Sequence, residues 1–162
     1  MGSSASLRQQ HRELLQVIIE LAPLLDHERL VQGCTGVRLM LSAFVRKLNV
    51  HLALEERFVY GRLLHHPDEA VVATTTRHHE DTRQLHDTLA QYAHRWALTT
   101  DQAIEMAPSS FVDETKSLFD VVSKRFELEN EELYPLLDQV PIASGTWTIH
   151  SMPPMKAKLG TS

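Results

Sequence analysis

The sequence predicts an all-α protein, an up-down-up-down four-helix bundle followed by an irregular C-terminal tail. Three observations carry that prediction. Four long stretches repeat apolar side chains at three- and four-residue steps, the spacing of one helix face. Prolines and glycines gather in the connections between them. Residues 139–162 are rich in Pro, Gly, Ser and Thr and have no helical period. The expected organisation is therefore a bundle over residues 1–138, long enough for one cored domain, and a tail over 139–162 that either docks on the bundle or is disordered.

The first helix opens near Ser6, with Gln9 placed to complete a capping box. Its stripe is Leu7, His11, Leu14 with Leu15, Ile18, Leu21 with Ala22, and Leu25. Pro23 kinks its end, and Asp26 to Gly36 reads as a connection. The second helix spans about 36–64, with the stripe Val37, Leu41, Phe44, Leu48, His51 with Leu52, Glu55, and Phe58 with Val59; Pro67 bars its continuation. The third starts near Asp68 or Glu69 and runs to about Leu98, through Val72, Thr75, His79, Thr82, Leu85 with His86, Leu89, Ala93 and Trp96. After a linker from Thr99 to Ser110, the fourth spans about 110–138, through Phe111, Thr115, Leu118 with Phe119, Val122, Arg125 with Phe126, Glu129, Leu133, and Leu136 with Leu137.

Five polar residues thus stand at core positions: His11, His51, Glu55, His79 and Glu129. A carboxylate in a helical interior costs several kcal/mol unless it is paired or binds a cation. Loop positions supply an independent test of whether the five meet. In an antiparallel hairpin, residues equidistant from the loop lie side by side. His11 and His51 centre on residue 31, Glu55 and His79 on residue 67, and His79 and Glu129 on residue 104, each inside a proposed connection. Three imidazoles and two carboxylates at one level make a metal site, and this mixture suits Fe, Zn or Mn better than Ca, Mg or Cu(I). His86, about 10 Å further along the helix axis, and Glu132 are auxiliary candidates. Tyr60 and Tyr134 are expected to pack at the bundle end, with hydroxyls able to hydrogen-bond around a ligand.

The segment from Leu54 to Gly61 also aligns with that from Leu128 to Pro135, keeping Leu, Glu, an aliphatic residue and Tyr in register. With "LRQQHRELLQ" around His11, "HLALEERFVYG" from His51, "RHHEDTRQLH" around His79 and "LENEELYP" from Leu128, the chain resembles the hemerythrin-like, HHE cation-binding proteins over about residues 7 to 138. The resemblance implies a four-helix bundle with non-haem iron, one or two ions, oxo- or hydroxo-bridged where there are two. It also implies a role in carrying or sensing dioxygen, in sensing nitric oxide or iron, or in repairing iron centres. The sequence departs from the family pattern where a fourth-helix histidine is expected: Arg125 stands there, and a guanidinium has no lone pair to give a metal. The expected centre is therefore uneven.

Composition narrows the alternatives. Sixteen Lys and Arg against twenty-one Asp and Glu, interspersed to a net charge of −5, leave no nucleic-acid footprint. The lone Cys34 and the lack of a long apolar run fit a cytoplasmic protein with no membrane partner. The expected partner is a small diatomic ligand or a metal ion. Two other function classes compete: an iron-dependent oxidase or peroxidase in which Arg125 orients an anionic oxygen, and a metal-free interaction module with a degenerate site.

Overall fold

The computed structural model describes residues 3–140, and among them every regular element is helical. The chain is an all-α bundle, as its periodicity predicts. Helix α1 (Ala5–Leu21) ends in a 3-10 turn at Ala22–Leu24, where Pro23 removes a backbone donor. A short helix α2 (His27–Gln32) follows, capped by Asp26, whose carboxylate accepts from the Arg29 amide. Helix α3 (Thr35–Glu55) continues through a π turn, Glu56–Tyr60, into α4 (Gly61–Leu63). Helix α5 (Glu69–Tyr92) starts at an Asp68 cap that accepts from the Ala70 amide, and it ends in a second π turn, Ala93–Ala97. Short α6 (Asp101–Met106) precedes α7 (Pro108–Leu128), whose Pro108 sits in the first turn, where no donor is required. A third π turn, Glu129–Leu133, leads into α8 (Tyr134–Gln139).

Two details differ from the sequence expectation. Helix α1 begins before Ser6, and its start is held by Ser4, whose backbone amide and hydroxyl donate to Asp138 at 2.8 and 2.9 Å. A tertiary contact replaces the local capping box. The connections expected at Asp26–Gly36 and Thr99–Ser110 each contain a short helix, stabilised by packing: Leu30 and Ile104 are fully buried. The expected tail beyond Val140 lies outside the described residues.

Helix α1 packs on α3 and α7, and α5 packs on the same two, so the four long helices form a four-sided bundle. Its interior has three tiers. A large apolar cluster runs from Leu14 to Phe126 and includes Leu41, Phe44, Leu48, Leu85, Leu89, Trp96 and Phe111. A smaller one at the other end joins Leu7, Val59, Tyr60, Leu63, Leu133, Tyr134 and Leu137. Each long helix crosses from one cluster to the other through buried polar residues: His11 on α1, His51 and Glu55 on α3, Thr75, His78 and Thr82 on α5, and Arg125 and Glu129 at the α7 end. No helix of the described residues is long and apolar enough to cross a membrane.

Candidate metal centre

The polar tier brings His11, His51, Glu55 and Glu129 together, each with a donor atom within 4.8 Å of the others. All four are at most 1% exposed. His11 Nε2 lies 3.1 Å from His51 Nε2 and 3.0 Å from Glu129 Oε1, and His51 Nε2 lies 3.6 Å from Glu55 Oε2. The His11 ring stacks on Phe126 at 3.9 Å between centroids, and His51 meets the same ring edge-on at 5.5 Å. Phe126 thus forms the apolar floor that keeps both imidazoles in place.

The outer nitrogens fix the tautomers. His11 Nδ1 donates to Asn130 Oδ1 at 3.0 Å, and His51 Nδ1 donates to Gln10 Oε1 at 2.7 Å. With hydrogens on both Nδ1 atoms, both Nε2 atoms present lone pairs to the interior. The phenolic hydrogen of Tyr134 is also committed, donating to Glu55 Oε2 at 2.6 Å, so its oxygen faces His11 Nε2 at 3.0 Å without a hydrogen to offer. Glu55 Oε1 and Glu129 Oε1 are buried without a hydrogen-bond donor. The centre therefore holds imidazole lone pairs and carboxylate oxygens that face one another with no hydrogen between them. Such an arrangement repels itself unless a proton or a cation enters.

The titration of the groups reflects this crowding. Burial pushes His51 down to about 4 and lowers His11 as well. Burial, and then the charge of Glu55, push Glu129 up to about 7. Burial raises Glu55 in the same direction. The imidazoles are held neutral and the carboxyls resist ionising together.

Across the layer, Arg125 lies beside Glu129 with Nη2 at 3.1 Å from Oε2, and the same nitrogen donates to His78 Nδ1 at 2.9 Å. Its Nη1 donates to Asp81 at 3.3 Å. His78 Nε2 in turn donates to Glu132 Oε1 at 3.0 Å.

A family model of the hemerythrin HHE cation binding domain matches residues 3–137. The chain belongs to that family. Comparison with curated proteins and with solved structures finds no match. As a hemerythrin HHE domain, the chain carries a buried His/Glu group at the centre of its bundle, which is where a cation-binding domain needs its donors.

Of the five ligand candidates in this HHE domain, four meet and His79 does not. His79 is turned outward, half-buried, with Nε2 at 2.8 Å from the exposed Glu56 carboxylate and its ring tilted against Tyr60. Its neighbour His78 points inward in its place, at 3% exposure. The reason is a tie in helical phase. From Thr75 to Thr82 the stripe can step four then three, through His79, or three then four, through His78, and both are regular. Exchanging one for the other moves the hairpin midpoints by half a residue, too little for the loops to distinguish. The residues that continue inward on α5 are Leu85, Leu89 and Tyr92, the phase of His78. Of the auxiliary candidates, His86 is exposed and outside the group, whereas Glu132 is linked to Glu129 through His78 and Arg125.

Sequence reasoning also missed Gln10 and Asn130, the amides that orient the two imidazoles. Each neighbours a site residue, which by itself carries no signal of contact. A second grouping, Cys34 with Asp101 and Glu105, lies at the far end of the bundle. There Asp101 accepts from Thr35 and, at 2.5 Å, from Arg38, so its charge is already answered.

Proposed function

We propose that this protein binds iron at His11, His51, Glu55 and Glu129 and uses it to bind or sense a small ligand, dioxygen or nitric oxide, or to sense iron or oxidants. The observation that carries the reading is the pair of inward lone pairs on His11 and His51, 3.1 Å apart, with two carboxylates beside them. Nitrogen and oxygen donors in this ratio fit iron, and Asn130 and Gln10 supply the outer hydrogen bonds that hold metal-binding imidazoles in one tautomer. Bound iron would supply a coordination position for a diatomic molecule and a redox couple. The chain's own part is to keep water out with the two apolar clusters and to hold the donors rigid against Phe126.

The centre is uneven, because on the Arg125 side a guanidinium stands where a ligand is expected. The arrangement gives less support to a peroxidase in which Arg125 orients an anionic oxygen: its terminal nitrogens are already engaged by Asp81, His78 and Glu129. The test is metal analysis with an optical spectrum on protein purified without oxygen and reconstituted with ferrous iron, then exposed to dioxygen, nitric oxide or reductant. Bound iron with a spectrum that responds to these reagents is expected. A Glu55→Gln variant should hold iron at least tenfold more weakly, since it loses a charged donor. Colourless, metal-free protein after reconstitution would overturn the reading.

A further inference from the structure

We propose that Arg125 is a built-in cation occupying the position of a second metal ion, so that the wild-type chain binds one ion, and that His78 and Glu132 are the dormant remainder of that second position. The proposal rests on the reading of His11, His51, Glu55 and Glu129 as a metal site, and extends it to the opposite side of the same layer.

A metal bound on that side would use the second oxygen of Glu129 and an imidazole from α5. The oxygen is Oε2, and the imidazole atom that faces it is His78 Nδ1. Both are directed at one nitrogen, Arg125 Nη2, at 3.1 and 2.9 Å. That nitrogen takes both lone pairs by donating hydrogens, as a metal would take them by accepting electrons. The His78 ring is meanwhile fixed from outside, its Nε2 hydrogen given to Glu132 as the Nδ1 hydrogens of His11 and His51 are given to Asn130 and Gln10. All three inward-facing imidazoles therefore share one wiring: an outer hydrogen bond and an inner lone pair. Two of the lone pairs meet no hydrogen, and the third meets a guanidinium.

Charge favours the same arrangement. Glu55 and Glu129 are two buried carboxyls, and Arg125, at 6% exposure, is the buried side chain with a permanent positive charge in the tier. One divalent ion and one guanidinium balance the two carboxylates with a single positive charge left over. A second divalent ion beside Arg125 would leave three, in a dry interior where each uncompensated charge is strongly disfavoured. The cation is also anchored from the surface by Asp81 at 3.3 Å, so it does not swing aside readily.

The experiment is a stoichiometry. Purified wild-type protein, Arg125→His, and Arg125→His combined with His78→Ala are loaded with ferrous iron without oxygen, freed of excess and assayed for iron per chain; circular dichroism reports folding. Expected values are one, two and one. After mild oxidation, wild type should give the paramagnetic resonance of an isolated high-spin ferric ion rather than the silent state of a coupled pair, a measurement that needs no variant. Two tightly bound ions in wild type would overturn the inference while leaving the metal site itself standing. One ion in a folded Arg125→His protein would overturn it equally. No iron in wild type would sink the metal site and this inference with it.

Discussion

At the scale of single residues, Tyr134 does more than fill the bundle end. Its hydroxyl gives its one hydrogen to Glu55 and lies between that carboxylate and the two imidazoles. Removing it strands Glu55 Oε2, and a buried acceptor without a donor costs about 1–3 kcal/mol. Thermal or denaturant unfolding of metal-free Tyr134→Phe should show a loss of that size, and a variant as stable as wild type would refute the role. The residue scale is also where the sequence is least legible. His11, His51, Glu55 and Glu129 were legible because each is the one ligand-type side chain that fits its stripe position, so phase left no choice. His78 was not, because two adjacent histidines satisfy the same spacing and only the three-dimensional phase of Leu85, Leu89 and Tyr92 selects between them. That Arg125 has no lone pair to offer a metal was legible from its chemistry, and Glu129, four residues on, is a local partner, but His78 and Asp81 reach it from one turn of α5, a contact no local pattern announces.

At the scale of elements, the internal sequence repeat becomes a structural one. Each aligned glutamate, Glu55 and Glu129, adjoins or opens a π turn, and each aligned tyrosine, Tyr60 and Tyr134, emerges buried at its far end. Residues five apart on a straight α-helix differ by about 140° in direction. A π turn accommodates an extra residue and brings them back toward one face. In the second copy Pro135 supplies a reason, since it cannot donate to the preceding turn and its ring crowds it. Deleting the exposed Arg57 should therefore let the first π turn close to an α turn with Val59, Tyr60 and Leu63 still inward. Deleting the equally exposed Arg46, inside regular α3, should rotate one half of the helix by about 100° against the other. Helicity and melting temperature should fall far more for the second deletion, and equal losses would dismiss the idea that the π turn absorbs the change. The four long helices are legible in the sequence because their packing obeys 3.6 residues per turn; the π turns depart from that period and so leave no periodic signal.

At the scale of the whole molecule, the polar tier between two apolar clusters couples pH to metal binding. Glu129, raised to about 7 from an ordinary 4.5, keeps its proton in the folded chain at pH values where an unfolded chain has lost it. In the metal-free protein that contribution to stability is full below 4.5 and is lost as pH rises through 7. His51, lowered to about 4 from 6.5, acts in the opposite sense, removing stability as pH falls from 6.5 toward 4. A metal must displace the Glu129 proton. Its apparent affinity should therefore climb about tenfold per pH unit below pH 7 and level off above it, with Glu55 steepening the same slope. Competition titrations at pH 6, 7 and 8 test this, and an affinity flat from pH 6 to 7 would contradict it. The burial of the tier should also slow the entry and exit of a cation. Helix α1 reaches the centre through His11, and its start is moored to the last helix by the two Ser4–Asp138 hydrogen bonds. A cation seated among four donors that are each at most 1% exposed would leave only when a helix shifts, and loosening the Ser4–Asp138 clasp should ease such a shift of α1. Residence time at the centre should then depend in part on a pair of hydrogen bonds at the end of the bundle, remote from the donors themselves.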